Sequence, residues 1–231
     1  MVNKVSRILG WAFLFQAVTS IVSGMVLEKK WFVDGNISQT MTNITNNMGW
    51  FRGNILVDML TALGVSFLGV VLYIYLRKYN EKWALAGVAF YILEGALIAA
   101  AKISSFSLLG LSQEWVAAGQ PAALLSIGNI AYGSSHFTGM TLSMLAFCAG
   151  AIPLYYLLDK ARIVPRIVTL WGLISVFPCL VGTLITLFGY NAPFALYALY
   201  VPFEFFIGIW IIIKGVKETQ VPATVINIGR D

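Results

Sequence analysis

The chain has 231 residues, of which 59% are hydrophobic and 11% are charged. Soluble domains carry about 25% charged residues, so this chain lacks the polar surface that a soluble protein of its length needs. The composition therefore excludes a soluble enzyme, a disordered chain and a nucleic-acid-binding domain. The net charge of +5 is instead typical of the basic cytoplasmic loops of membrane proteins. We expect a single all-α membrane domain with no nucleic-acid partner.

Six apolar runs follow one another along the chain. Each has about 20 residues, which is enough to cross a hydrocarbon layer roughly 30 Å thick. The first run is not expected to be a signal peptide, because it is longer than about 7–15 residues and no small-residue cleavage site follows it. We predict a polytopic bundle of six transmembrane helices at residues 8–27, 55–76, 83–105, 132–158, 167–188 and 193–213.

Lysine and arginine residues divide unevenly between the two ends of this bundle, with Lys102 inside a span. The larger group has eleven members: Lys4, Arg7, Arg77, Lys78, Lys82, Lys160, Arg162, Arg166, Lys214, Lys217 and Arg230. The smaller group has three: Lys29, Lys30 and Arg52. Because cytoplasmic loops carry the excess of basic residues, we predict that both termini are cytoplasmic. The lipid bilayer is then the first partner of the chain.

Two connecting segments at the predicted outer end are longer than simple turns. Residues 31–53 are polar and rich in Asn and Thr, and residues 110–130 alternate apolar and polar residues. Within the second segment, residues 121–127 are expected to form a short helix that lies on the surface or over the bundle. Whether these segments form a lid is left open.

Ionisable side chains inside a membrane are costly and usually face the bundle interior. Counting about 1.5 Å per residue from the span ends places them in two layers. The outer layer holds Asp58, Lys102 and His136, with Arg52 close above them. The middle layer holds Glu94, Glu204 and Gln16. We predict a pocket that opens to the outside and is floored by the two acids, with Arg52 and the middle layer contributing to ligand binding.

Ligand pockets are mostly apolar and contain a few well-placed polar groups. The pocket is therefore predicted to bind a small amphiphilic or lipid-like ligand, with Phe106 and Phe137 among its apolar walls. Whether the protein also modifies this ligand is left open. In an enzyme, His136 would act as the general base and Asp58 would orient it. Lys102 would then stabilise developing negative charge.

Three other interpretations stay open. Asp58 and Lys102 can form an ion pair that is only structural, and Glu94 and Glu204 can be neutral groups that hydrogen-bond to tyrosines or kinked backbone. Alternatively, Glu94 and Glu204 form the relay of a proton-coupled transporter, for which six spans would need a homodimer. The chain can also be a non-catalytic partner or an assembly subunit.

No cofactor or metal site is predicted from the sequence. A single histidine excludes bis-His haem ligation within one chain. Neither a His-Glu-x-x-His motif nor a cysteine cluster is present for zinc. Phosphate-binding and dinucleotide-binding glycine motifs are absent as well.

The C-terminal third carries a recognisable series of residues. The segment 162–166, Arg-Ile-Val-Pro-Arg, leads into Trp171-Gly172, and Gly189, Pro202, Glu204 and the segment 210–215 follow. With the acids of the second and third spans, this series resembles the bacterial membrane proteins grouped as domain of unknown function 4386. Val216 and Tyr91 depart from that family, which often has Phe and Arg there. The resemblance implies the fold, the topology and a bacterial inner membrane, and it implies no activity.

Overall fold

The structure is a computed structural model that describes residues 4–216, and the side chains of residues 7–216. Over this part of the chain it contains nine α-helices and no strand. They are α1 (Lys4–Ile21), α2 (Ile37–Asn46), α3 (Met48–Leu76), α4 (Glu81–Ala117), α5 (Ala122–His136), α6 (Ser143–Ala161), α7 (Arg166–Leu187), α8 (Ala195–Ala198) and α9 (Tyr200–Lys214). A π-helical turn follows α1 at Val22–Leu27, and another joins α5 to α6 at Phe137–Leu142.

Six helical segments within residues 4–216 are long and apolar enough to cross a membrane, which confirms the predicted fold class. They are Arg7–Lys30, Met48–Leu76, Glu81–Ala117, Ala122–Ala161, Arg166–Leu187 and Ala195–Lys214. The orientation of the termini stays a prediction, and Lys217 and Arg230 of its basic group lie outside the described residues.

The third and fourth spans extend well beyond their predicted bounds. The helix α4 has 37 residues, and at about 1.5 Å per residue it is roughly 55 Å long. The segment Ala122–Ala161 is likewise one continuous run of 40 helical residues. Residues 121–127 therefore do not form a separate surface helix, because α5 begins at Ala122 and continues into the span.

The extended helix ends form a small domain that we call the cap, made of α2, the end of α4 after Ser105 and the start of α5. The helix α2 packs against both α4 and α5. An apolar cluster holds the cap together, and its buried members include Trp31, Met41, Phe51, Leu108 and Trp115. This cluster explains why residues that look like loops in sequence are helical, since most helical stability comes from packing an apolar face.

The six spans form a closed ring in chain order. Each span packs against the next, and α9 returns to pack against α1. The closure depends on Gly10, because a Cβ built there would lie 2.7 Å from the carbonyl oxygen of Gly208. Only a residue without a side chain allows two helices to approach so closely.

The sixth span is interrupted. The short helix α8 ends at Ala198, and α9 begins at Tyr200. The carbonyl oxygen of Leu199, at the break, accepts a hydrogen bond of 3.1 Å from Trp171 Nε1, which ties the start of α9 to α7. The break places Glu204 only one turn into α9 rather than deep within a continuous helix.

Candidate functional site

A chain of hydrogen bonds fixes Asp58 beneath the cap. Trp31 Nε1 donates to Asn54 Oδ1 at 2.9 Å, and Asn54 Nδ2 donates to Ser23 Oγ at 2.5 Å. Ser23 Oγ in turn donates to Asp58 Oδ1. The other carboxylate oxygen, Oδ2, accepts a bond of 2.6 Å from Lys102 Nζ. Both oxygen atoms of the carboxylate are therefore held by hydrogen bonds.

Local helical geometry explains this arrangement. Asn54 and Asp58 lie four residues apart on α3, so their side chains share one face. Ser23 reaches them from the π-helical turn Val22–Leu27, a type of irregularity often found at functional sites. The sequence places Ser23 among the polar groups in the outer half of the first span, but it does not predict that Asn54 and Trp31 belong to this network. The four-residue spacing of Asn54 and Asp58 was the one signal that pointed to this network.

The ion pair lines a cavity of about 360 Å³, which we call the inner cavity. His136 and Ser135 also line it, and its apolar walls include Phe51, Leu108 and Met140. Both π-helical turns contribute lining residues, among them Met25 and Met140. The inner cavity thus combines a fixed ion pair with a largely apolar wall.

Other residues predicted for this pocket lie elsewhere. Phe106 and Phe137 are 66% and 42% exposed and line neither cavity described in this section. Each follows a residue that faces the interior, and one step along a helix turns a side chain by about 100°. The side chain of Arg52 is also exposed and outside the cavity lining. The structure therefore does not bring these three side chains to the inner cavity, and a role of Arg52 in ligand binding stays a prediction.

His136 shares the inner cavity with Asp58 and Lys102 but is not joined to them. Within the described part of the chain, Asp58 accepts hydrogen bonds from Ser23 and Lys102, and none links it to His136. The imidazole instead packs against the ring of Tyr132, with 6.0 Å between ring centroids. The geometry does not provide the predicted orientation of His136 by Asp58.

A second cavity of about 950 Å³ lies beside the first, and we call it the outer cavity. It is bounded by the end of the first span, by residues 32–37 and by α5. The two cavities share four lining residues, which we call the junction: Gly24, Glu28, Tyr132 and His136. Glu28 was missed in the sequence because it looks like a simple boundary of the first span.

The middle layer forms a separate polar group. Glu204 Oε1 accepts hydrogen bonds of 2.6 Å from Gln16 Nε2 and 2.7 Å from Tyr200 Oη. The hydroxyl groups of Tyr200 and Tyr155 lie 2.7 Å apart. Glu94 lies close enough for its charge to interact with that of Glu204. Its buried Oε2 has no hydrogen-bond partner among the described residues.

The inner cavity ends before it reaches these acids. Thr61 and Ile98 are among its lining residues, whereas Gln16, Glu94 and Glu204 are not. Glu94 lies one helical turn beyond Ile98 on α4, a rise of about 6 Å. Asp58, Lys102 and His136 thus line one cavity, whereas Gln16 and Glu204 form a separate hydrogen-bonded pair, so the acids do not form the floor of the cavity.

No arrangement of three or more His, Cys, Asp or Glu side chains suited to a metal ion occurs in residues 4–216. Cys148 and Cys179 are both buried free thiols. They pack in the large apolar core of the bundle.

The fold and the cavities define a polytopic α-helical membrane protein with a polar site near one end of its bundle. Residues 8–215 match the model of a protein family described as Domain of unknown function (DUF4386). The match covers most of the chain, so the chain belongs to this family. No curated protein and no solved structure matches it significantly.

Proposed function

We propose that the protein binds a small amphiphilic or lipid-like ligand in the inner cavity, and that this cavity faces outward in the bacterial inner membrane. The proposal depends on one observation. A space of about 360 Å³ is lined by the Asp58–Lys102 ion pair, by further polar side chains and by apolar side chains that include Phe51, Leu108 and Met140. Such a surface suits a molecule with a polar head and an apolar tail.

Because the ion pair is already fixed, it would orient the ligand without a further entropic cost for ordering the two side chains on binding. His136 adds a ring that has no hydrogen bond to any described side chain. Its nitrogen atoms are thus available to a bound head group. If the protein also modifies its ligand, we propose that His136 takes a proton from it.

Gly24 offers a way to fill the cavities without disturbing the fold. It lines both cavities, and a Cβ built on it meets no atom within 4 Å. A Cβ built on Gly110 of α4 likewise meets no atom within 4 Å, and Gly110 lines neither cavity. Gly24→Leu and Gly110→Leu therefore form a matched pair that differs in location.

The test measures binding of dodecyldimethylamine oxide, a single-chain amphiphile with a compact head. Native mass spectrometry would follow the full-length protein released from nanodiscs. We expect the original chain and Gly110→Leu to retain one amphiphile with equal affinity. Gly24→Leu should weaken binding by about tenfold or more, which corresponds to 1.4 kcal/mol. Equal binding by all three proteins would contradict the proposal.

A second candidate function is proton-coupled transport, with Glu94 and Glu204 as the relay. Two observations favour it: the buried Oε2 of Glu94 has no partner among the described residues, and Glu204 follows the break in the sixth span. Interrupted helices are common at the binding sites of transporters.

Transport would be tested in proteoliposomes loaded with a pH-sensitive dye. We expect addition of dodecyldimethylamine oxide to produce proton movement with the original chain and with Glu114→Gln. The side chain of Glu114 is exposed on the cap, and this variant is the control. Glu204→Gln should abolish the signal. Proton movement that survives this substitution would eliminate Glu204 as a relay residue.

A further inference from the structure

We propose that the ligand carries a cationic head, a protonated or quaternary ammonium group, and that Glu28 and the ring of Tyr132 receive this group at the junction. The inference rests on the proposed function, because it specifies the head group of the same amphiphile. The head would lie at the junction of the two cavities, and the tail would lie along the apolar wall of the inner cavity.

Glu28 is a carboxylate that forms no salt bridge within residues 7–216, although the charges of Asp58 and Lys102 both act on it. It is half-buried at the end of the first span and lines both cavities. Within residues 7–216, its side chain forms no ion pair and no hydrogen bond. A partly buried charge is unfavourable unless something compensates for it. A cation bound at the junction would supply that compensation.

The nearby basic groups do not fill this role. Lys102 is bound to Asp58 at 2.6 Å. Lys29 is exposed and forms no ion pair with any described residue. His136 packs on Tyr132 and likewise forms no ion pair with Glu28. The inner cavity therefore has two carboxylates, Glu28 and Asp58, against one ammonium group.

Aromatic rings complete the junction. Tyr132 stacks on Phe32, with ring centroids 5.0 Å apart and planes at 15°. Tyr132 also lies close enough to Glu28 and Asp34 for both charges to act on it. Aromatic faces attract ammonium groups, and the attraction strengthens where water is excluded. Carboxylates beside such a ring favour a cationic head and disfavour an anionic one.

The experiment compares two amphiphiles that differ in charge and hardly in shape. Dodecyltrimethylammonium is cationic, whereas dodecyldimethylamine oxide has no net charge at pH 8. Their dissociation constants would be measured by native mass spectrometry for the full-length protein in zwitterionic nanodiscs. We expect the original chain to prefer the ammonium compound by about tenfold, the ratio that 1.4 kcal/mol produces.

Glu28→Gln preserves the size of the side chain and removes its charge. This substitution should weaken binding of the ammonium compound by about tenfold and so abolish its preference over the amine oxide. Glu114→Gln removes a carboxylate from the cap outside both cavities, and it should leave the preference intact. Thermal unfolding of each variant would verify that the fold is retained.

The results separate the two proposals. Equal binding of both amphiphiles by the original chain, or a preference that survives Glu28→Gln, would contradict the proposal of a cationic head group. Neither result would contradict the proposal that the inner cavity binds an amphiphile. Failure of the original chain to bind either amphiphile would overturn the proposed function, and the cationic head with it.

Discussion

The ammonium group of Lys102 lies 2.6 Å from Oδ2 of Asp58, and the two side chains retain 17% and 20% of their exposure at the wall of the inner cavity. The pair explains how a lysine occurs within the third span, because intramembrane charges are tolerated when they are paired and face a cavity. Ser23 and the neighbouring Asn54 add further hydrogen bonds around the same carboxylate. The ion pair is thus both a structural contact and the polar part of the candidate site.

A double-mutant cycle should detect coupling between Asp58 and Lys102. We expect Asp58→Asn and Lys102→Met each to reduce the free energy of unfolding by about 2 kcal/mol, because each leaves a charged partner unpaired. The double variant should lose less than the sum of the two. The free energy of unfolding of all four proteins would be measured in mixed micelles. A double variant that loses the full sum would show that the pair contributes no coupling energy.

The sequence predicted the spans and the outer pair for simple physical reasons. Long apolar runs mark membrane helices directly, and helical rise converts sequence position into depth. Asp58 and Lys102 fall at similar depths on neighbouring spans, so their meeting follows from charge pairing. Gln16 and Glu204 also fall at similar depths on their spans, which brings them together in the same way.

The cap could not be predicted in this way. The helix α2 and the ends of α4 and α5 bury only one face against each other. Their apolar residues are therefore spaced along the sequence and do not form the unbroken run that marks a membrane span. Side chains such as Trp31 and Met41 gain their burial from partners distant in sequence. The π-helical turn that presents Ser23 depends on a local shift of backbone hydrogen bonds, which residue spacing does not encode. The position of Glu28 in the cavities was not predicted, because a charged residue at the end of an apolar run normally only marks where the span leaves the membrane.

Cysteine labelling would test which end of the bundle faces outward. The native thiols of Cys148 and Cys179 are 0% and 1% exposed, so the original chain should not react with a membrane-impermeant maleimide. Gln39 on α2 and Glu81 at the start of α4 are exposed at opposite ends. Because basic residues predict a cytoplasmic face at the Glu81 end, Gln39→Cys should react in intact cells. Glu81→Cys should react only after permeabilisation, and the reverse pattern would invert the topology.

Closure of the ring should depend on Gly10. The side chain of Gly10→Leu would collide with the backbone of α9, and overpacking of this kind typically costs about 1–3 kcal/mol. We expect a loss of this size in the free energy of unfolding. Gly110→Leu is the control, since its Cβ meets open space. Thermal unfolding of both variants in one detergent would measure the difference, and equal stability would show that the approach of α1 and α9 is not limiting.

Substitution of His136 separates binding from catalysis. The side chain is exposed and makes no hydrogen bond to the other described side chains, so His136→Ala should leave the thermal stability unchanged. If His136 only donates a hydrogen bond to the ligand, binding of dodecyldimethylamine oxide should weaken by about two- to twelvefold, because one such bond contributes roughly 0.5–1.5 kcal/mol. Ser134→Ala is the matched control, since Ser134 is also exposed on α5 and lines neither cavity. If His136→Ala binds the amine oxide as tightly as the original chain does, His136 is not part of the ligand site.

An enzyme would respond differently to the same substitution. In that case His136→Ala should stop the turnover of lipids from a bacterial extract at every lipid concentration, as measured by mass spectrometry.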